Sequence, residues 1–172
     1  TREQLHTSPA GDRALALASG TIHMLEALGI WPAAKALATP IKTIHVSDQG
    51  HFGKTRLSAK KEGVAALGYV ITARDLEDVV SQLVAQADIE QICPARVIGI
   101  ASDDHLAHIS LKQQDSSLNI SARLVIGADG GQSTVRKLLE IDQAVTEYQQ
   151  TAIVTTIKTE IGHDNVAYER FT

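Results

Sequence analysis

The stretch from Leu124 to Arg136, LVIGADGGQSTVR, constrains the fold of this chain more than any other. Its first residues, Leu124–Ile126, form a short apolar run that predicts a buried strand. Glycines then interrupt the chain, and Ser133–Glu140 has the spacing of a helix with Ser133 as its N-cap. A strand, a glycine turn and a helix start direct backbone N–H groups outward at the positive end of the helix dipole. Such a corner can bind a phosphate.

The side chains of this corner suit a cofactor, but the glycine spacing leaves two interpretations open. Asp129 offers an acceptor for a hydroxyl group, and Arg136 can bind an anion or pair with Asp129. Gly127, Gly130 and Gly131 depart from the G-x-G-x-x-G spacing of dinucleotide-binding loops. On these residues alone, a tight connection whose glycines only permit positive φ is as good an interpretation as a cofactor loop.

The same stretch resembles a motif of a known family. G-A-D-G-x-x-S-x-V-R is similar to the second cofactor motif of the class A FAD-dependent aromatic monooxygenases, the para-hydroxybenzoate hydroxylase-like proteins. Every specified position is present, at Gly127, Ala128, Asp129, Gly130, Ser133, Val135 and Arg136. The resemblance implies that the corner contacts the FAD diphosphate and takes part in NAD(P)H binding. The cofactor-binding residues that it implies here are Gly127, Asp129, Gly130, Ser133 and Arg136.

An earlier segment, DRALALASGTIHMLEALGIW, also resembles these monooxygenases. Its apolar spacing predicts a helix from Arg13 to about Leu28, capped by Asp12 and ended by Gly29. A cation in the first turn opposes the helix dipole, so Arg13 is either a solvated side chain or a phosphate contact. In the family an arginine at this place contacts FAD, and the resemblance implies the same role for Arg13.

Hydrophobic periodicity predicts the remaining elements. A short helix should begin at Trp31-Pro32, and a longer one should run from Thr72, as a candidate cap, to Ala87. The predicted strands cover residues 41–47 and 52–58 as a hairpin, 89–100, 105–112 and 118–126 as an antiparallel meander, and 148–157 and 166–171 near the C-terminus.

The resemblance covers most of residues 12–172 and implies an α/β fold, α+β in part. A Rossmann-like FAD/NAD(P)-binding piece should be interleaved with an antiparallel substrate-domain sheet, incomplete at both ends. The expected FAD-binding parts are residues 1–40 and 72–142, including the meander at about 95–122, and the expected substrate-binding parts are 41–71 and 143–172. Two family motifs, G-x-G-x-x-G and G-D-A-x-H-x-x-x-P, should lie outside these residues. We therefore expect the chain alone neither to hold FAD tightly nor to turn over.

Two further patterns indicate a branch of the family. Y-x-Q-T-A-I-V at 148–154 and A-Y-E-R-F-T at 167–172 are similar to the ubiquinone-biosynthesis branch. The resemblance implies hydroxylation of the aromatic ring of a polyprenylphenol precursor of ubiquinone, with FAD, NAD(P)H and O2. It assigns no catalytic acid or base to this chain. Other ubiquinone-biosynthesis proteins are expected partners.

Composition bounds the partners and the compartment. A net charge of −4 argues against a nucleic-acid partner. The single cysteine, Cys93, cannot form an internal disulfide, which favours a reducing compartment such as the cytoplasm, and its apolar neighbours predict a buried, inert thiol. No apolar run reaches the ~18 residues of a membrane span. A polyprenyl substrate nevertheless implies peripheral contact with the inner membrane.

Two other classes of function stay open. A nicotinamide-dependent dehydrogenase could use 127–131 as its only nucleotide loop, although a first-strand fingerprint and a ribose-binding acid at the required distance are not found in the sequence. A non-catalytic binding or assembly module is the other. No metal site is expected, because the seven histidines and one cysteine show no zinc-ligand spacing. The G-x-S-x-G signature of a serine nucleophile is also not found.

Overall fold

The computed structural model of the chain describes residue 11 and residues 13–172. The strands in this part are β1 (Ala14–Ala18), β2 (Thr39–Ile41), β3 (Thr43–Asp48), β4 (Lys54–Ser58), β5 (Gly68–Thr72), β6 (Arg96–Ser102), β7 (Ala107–Gln113), β8 (Ser116–Ala122) and β9 (Val166–Phe171). The helices are α1 (Ser19–Ala27), α2 (Trp31–Lys35), α3 (Ala73–Gln86) and α4 (Thr134–Leu138). The described residues form two compact units. The meander unit is Glu90–Ala152, and the two-sheet unit is the chain up to Ile89 together with Ile153–Thr172.

The first sheet of the two-sheet unit has the strand order β1-β5-β2, and both pairings are antiparallel. Helices α1, α2 and α3 contribute apolar side chains to the core beside it. The buried residues of this core are Ile22, Trp31, Ala34, Ile71 and Val79. Ile71, on the central strand, is only 1% exposed, which makes β5 the centre of this unit.

The predicted helix from Arg13 to Leu28 is wrong in its first third. Ala14–Ala18 form strand β1, and the helix begins only at Ser19. The sequence ALALA alternates with a period of two, and pairing with the edge of β5 decides in favour of a strand despite the high helix propensity of alanine and leucine. Arg13 therefore precedes a strand, not a helix. Asp12, the predicted cap, lies outside the described residues.

Helix α3 confirms the prediction of a long helix after Thr72. The Thr72 hydroxyl accepts a hydrogen bond from the Asp75 backbone N–H at 3.1 Å and donates one to the Asp75 carboxylate at 2.7 Å. This arrangement satisfies one of the free N–H groups at the helix start, as the candidate cap predicted.

The second sheet of the two-sheet unit has the order β4-β3-β9. Strands β3 and β4 form the predicted antiparallel hairpin. Strand β9 confirms the last predicted strand, and it pairs with β3 in parallel, with Val166 opposite Thr43. The sheet is therefore mixed, and it brings residues from the two ends of this unit together.

The meander unit contains the predicted antiparallel sheet in the order β6-β7-β8. Strand β6 begins only at Arg96, after Pro94, where a strand loses a donor. Strand β8 ends at Ala122, so the predicted buried strand at Leu124–Ile126 is wrong. Leu124 and Ile126 are 75% and 79% exposed.

Two other predictions also fail in the described residues. The segment 148–157, predicted as a strand, is assigned to no strand, and Ile153 is 92% exposed. The apolar composition of a segment predicts a strand only where a neighbouring strand accepts its hydrogen bonds. Cys93, predicted to be buried, is exposed.

The α/β fold class is confirmed, with antiparallel and mixed sheets. How the units correspond to FAD-binding and substrate-binding domains stays a prediction. Among the described residues, none of the helices has the length and apolarity needed to cross a membrane.

Candidate functional site

The glycine corner, which we define as Gly127–Ser133, is held together by the carboxylate of Asp129. One carboxylate oxygen accepts a hydrogen bond from the Ser133 hydroxyl at 2.6 Å. The other accepts from the backbone N–H groups of Thr134 at 2.6 Å and Val135 at 3.1 Å. The side chain of Asp129 thus folds forward onto the first turn of α4, where the positive end of the helix dipole favours a negative charge.

Ser133 and Arg136 complete this turn. Ser133 is 8% exposed, and its hydroxyl accepts from the Arg136 backbone N–H at 3.0 Å, which confirms it as the N-cap. The Arg136 guanidinium donates to the Gly131 carbonyl at 2.7 Å, so the arginine lies back along the glycine turn. The predicted alternative, an ion pair between Arg136 and Asp129, is not the contact that this arginine makes.

These contacts correct the first expectation about the corner. The N–H groups of Thr134, Val135 and Arg136 were expected to point outward to a phosphate, but they are occupied by Asp129 and Ser133. The anion held by the helix start is the chain's own carboxylate. A diphosphate at this corner must use the glycine turn and the arginines instead of the first helical N–H groups.

The hydrogen bonds lower the pKa of Asp129 below its ordinary value of 3.8. The largest cause is the bond from the Ser133 hydroxyl, followed by the backbone N–H of Val135, and partial desolvation acts in the opposite direction. Asp129 is consequently ionised at neutral pH. A carboxylate has about four lone-pair positions, and three hydrogen bonds leave room for one more donor, such as a ligand hydroxyl.

Each glycine of the corner has a different structural role. A Cβ on Gly127 would lie 3.0 Å from Val135 Cγ1, so this position lets α4 pack against the loop. Gly130 has a φ of +78°, which favours glycine, and a Cβ there would meet open space. Gly131 also faces open space. The space beside the Cα atoms of Gly130 and Gly131 is therefore open, while the Gly131 carbonyl is occupied by Arg136.

A pocket of about 640 Å³ lies against this corner, within the meander unit. Its lining includes the corner residues Asp129 and Gly130, the apolar Val125, and the two arginines Arg123 and Arg136. The volume is in the range of small-molecule sites. The open turn, the two cations and the remaining acceptor capacity of Asp129 fit an anionic ligand that also carries hydroxyl groups.

The structure thus brings together five of the six predicted cofactor residues: Gly127, Asp129, Gly130, Ser133 and Arg136. Arg13 belongs to the other unit, where its carbonyl accepts a hydrogen bond from the Ala73 N–H at 2.8 Å. Sequence reasoning did not single out Arg123. Its only signal was a cation immediately before the apolar run. The role of each predicted residue in binding a cofactor stays a prediction.

A second polar cluster of the meander unit lies on an exposed surface, where His108 links Asp103 to Ser121. His108 bonds Ser121 through Nδ1 and Asp103 through Nε2, both at 2.9 Å. The side-chain bond from His108 lowers the pKa of Asp103 to about 2, helped by the backbone N–H groups of His105 and Leu106. The described residues contain no group of three or more metal-ligating side chains.

Known proteins resemble this chain in sequence. Ubiquinone hydroxylase UbiL of Rhodospirillum rubrum is 31% identical over 165 residues, which cover 92% of this chain and 36% of the relative. The 3-demethoxyubiquinol 3-hydroxylase of Escherichia coli is 25% identical over 162 residues, which cover 93% of this chain and 40% of the relative. The chain thus spans about two fifths of the length of these curated relatives.

Solved structures share the fold. The OxyS anhydrotetracycline hydroxylase from Streptomyces rimosus matches with a TM-score of 0.63 at 21% identity, over 79% of this chain and 27% of that one. The flavin-dependent monooxygenase PieE, solved with FAD and substrate, matches with a TM-score of 0.61 at 19% identity, over 75% of this chain and 25% of that one.

A family model described as an FAD binding domain matches residues 2–168. Since this match includes nearly every residue, the chain belongs to the FAD binding domain family.

Proposed function

We propose that this chain is part of a flavin-dependent monooxygenase that hydroxylates the ring of a polyprenylphenol precursor of ubiquinone. The observation that carries the proposal is the similarity of almost the whole chain to ubiquinone hydroxylases, at 31% identity for the Rhodospirillum rubrum protein. The intact glycine corner and the fold shared with flavin-dependent monooxygenases support it. The sequence motif and the geometry of the pocket point to the same cofactor.

The residues of the corner have distinct parts in this proposal. Asp129 and Ser133 hold the turn in one conformation, so that Gly130 and Gly131 can lie close to the FAD diphosphate. Arg123 and Arg136 would offset the charge of the diphosphate, and Asp129 would accept a hydrogen bond from a hydroxyl group of the cofactor. When bound, FAD supplies the redox chemistry between NAD(P)H, O2 and the aromatic ring. The side chains described here would position the cofactor.

The partners and the location follow from the substrate. A polyprenyl tail partitions into a bilayer, so we propose that the protein works in the cytoplasm at the surface of the inner membrane. Polyprenylphenol, NAD(P)H and O2 are the proposed reactants, and other ubiquinone-biosynthesis proteins are the proposed partners. In this proposal, residues 41–71 and 143–172 belong to the substrate-binding side, and Arg13 is a further FAD contact.

The test uses the gene that encodes this chain, in cells where its loss stops ubiquinone synthesis. Cells that carry the unchanged gene are grown under ¹⁸O2, and the quinone is analysed by mass spectrometry. The proposal predicts that the quinone of these cells carries one more ring oxygen derived from O2 than the precursor that accumulates when the gene is lost. It also predicts that Arg136→Gln lowers the labelled quinone and raises a precursor that is one oxygen poorer, because the corner loses a charged contact.

The matched control is Lys137→Gln, the neighbouring cation on the same helix, which is exposed and does not line the pocket. This variant should keep the labelled quinone at its normal level. A dehydrogenase would add no oxygen from O2, and an assembly module would not respond to Arg136→Gln more than to Lys137→Gln. Either result would contradict the proposal.

A further inference from the structure

The sheet β4-β3-β9 of the two-sheet unit has two chemically different faces. Directly paired residues of neighbouring strands point to the same side, and successive residues alternate between sides. One face, which we call the cationic face, carries Thr43, His45, Ser47, Lys54, Arg56, Ser58, Val166, Tyr168 and Arg170. The opposite face carries Ile44, Val46, Asp48, Thr55, Leu57, Ala167, Glu169 and Phe171.

The charges on the cationic face are of one sign. Lys54 and Arg170 are the partners of Ser47 on the two outer strands, and Arg56 is the partner of His45. None of the residues on this face is acidic, although the chain as a whole has a net charge of −4. The positive charge of this face is therefore not balanced by an acidic residue of the same face, and a surface of one sign attracts ligands of the opposite charge.

A pocket of about 400 Å³ opens on this face. Arg56 and Lys61 supply two cations to its lining, and Thr43, Ser58 and Tyr168 supply hydroxyl groups. Among the described residues, no carboxylate lies within ion-pair distance of Arg56 or Lys61. The cations of the pocket are therefore not neutralised by any carboxylate in the part of the chain that the structure describes.

His45 holds one of these cations in place. Its Nδ1 accepts a hydrogen bond from Nε of Arg56 at 3.1 Å, which assigns the proton of a neutral ring to Nε2. The same ring packs against the ring of Tyr168 at an angle of 34°, with centroids 5.5 Å apart. The guanidinium is thus fixed through Nε, and its two terminal nitrogens stay available for a bidentate contact with a carboxylate or phosphate.

We propose that this pocket binds a small organic molecule with a carboxylate or phosphate group. Arg56 and Lys61 contact the charged group, and the hydroxyls of Thr43, Ser58 and Tyr168 complete its hydrogen bonds. The pocket volume lies in the range of about 300–1,000 Å³ of small-molecule sites, which leaves space for more than a bare inorganic anion. The site uses none of the residues of the glycine corner, so it stands or falls independently of the proposed cofactor.

The test is a titration of the isotopically labelled 172-residue chain with benzoate, phenyl phosphate and benzamide, followed by NMR. Benzamide has the shape of benzoate without its charge. Saturable shifts are expected at β3, β4 and β9 with at least one of the two anions, and the tighter anion identifies the preferred group. Benzamide should bind at least about tenfold more weakly, the size of one charge-assisted contact.

Two variants with matched controls locate the site. Arg56→Gln and Lys61→Gln should each raise the dissociation constant of the tighter anion about tenfold or more. Arg96→Gln and Lys112→Gln, exposed cations on the meander sheet, should leave it unchanged. If Arg56→Gln disturbs folding, as its spectrum would reveal, Lys61→Gln decides alone because Lys61 lies outside the strands.

Three outcomes would overturn the proposal. The first is equal binding of benzamide and the anions, and the second is anion binding that neither Arg56→Gln nor Lys61→Gln weakens. The third is binding to vesicles of anionic lipid without any binding of the soluble anions. In that case the face would be a membrane-contact surface with no pocket for a small molecule.

Discussion

Asp129 is the residue on which the candidate cofactor site depends. Its carboxylate joins the glycine turn to the first turn of α4 through three hydrogen bonds. The helix start thereby receives a negative charge from the chain itself. The pocket beside the corner is lined by Arg123, Gly130 and Arg136, and their contact with an anionic cofactor stays a prediction.

Asp129→Asn should lower the melting temperature at pH 7, because an amide supplies one acceptor oxygen where the carboxylate uses two. The folded-state pKa of Asp129 lies below its ordinary value of 3.8, so its stabilising contribution is present above that pH. The contribution is lost as the pH falls below 3.8 through the folded-state pKa. The melting-temperature difference between the two proteins should therefore shrink in acid.

Circular dichroism melts across this pH range measure the effect, with Asp142→Asn, an exposed carboxylate of the same unit, as the control. A difference between Asp129→Asn and the unchanged chain that stays constant from pH 7 to pH 2 would contradict the assigned hydrogen bonds.

The sequence identified the residues of the corner but not their contacts. The G-A-D-G-x-x-S-x-V-R motif predicted Asp129, Ser133 and Arg136, and the structure brings them together. The motif did not reveal that Asp129 accepts hydrogen bonds from the first turn of α4, because a side chain that reaches forward five or six residues depends on the path of the glycine turn. Arg123 was missed because only the fold places it in the pocket.

At the level of elements, local signals succeeded where they agreed with the tertiary pairing. Helix α3, the β3-β4 hairpin and the meander were predicted from periodicity, caps and turns. Strand β1 was mistaken for a helix, because five alternating alanines and leucines fit the spacing of a helix as well as that of a strand. The pairing with β5 makes this segment a strand. The segments 124–126 and 148–157 have strand-like composition, but no described strand pairs with them.

The packing of α4 against the glycine turn predicts the effect of Gly127→Ala. The added Cβ would lie 3.0 Å from Val135 Cγ1 and 3.2 Å from Val135 Cβ, so the Val135 side chain must move by a few tenths of an ångström. Because such overpacking typically costs about 1–3 kcal/mol, the free energy of unfolding of the meander unit should fall by about 1 kcal/mol or more.

Urea denaturation measures the change, and Gly131→Ala is the matched control because a Cβ there meets nothing within 4 Å. Equal stabilities of the two alanine variants would show that α4 does not rest on Gly127.

At the scale of the whole molecule, the chain combines two units with different surfaces. The meander unit carries the glycine corner, and the two-sheet unit carries the cationic face. The overall charge of −4 gave no indication of that face, because it arises only when β4, β3 and β9 align their alternate residues. The α/β class and the FAD binding domain family were predicted from sequence, and the assignment of each unit to a cofactor or a substrate stays a prediction.

The central claim is that the glycine corner contacts the diphosphate of FAD. The most direct measurement is NMR of the ¹⁵N-labelled chain with FAD, ADP or FMN, at concentrations high enough to detect weak binding. FAD and ADP carry the diphosphate and should shift the backbone amide signals of Gly130 and Gly131, whereas FMN, with a single phosphate, should leave them in place. The claim is contradicted if saturating FAD leaves both signals unmoved, or if FMN shifts them as much as FAD does.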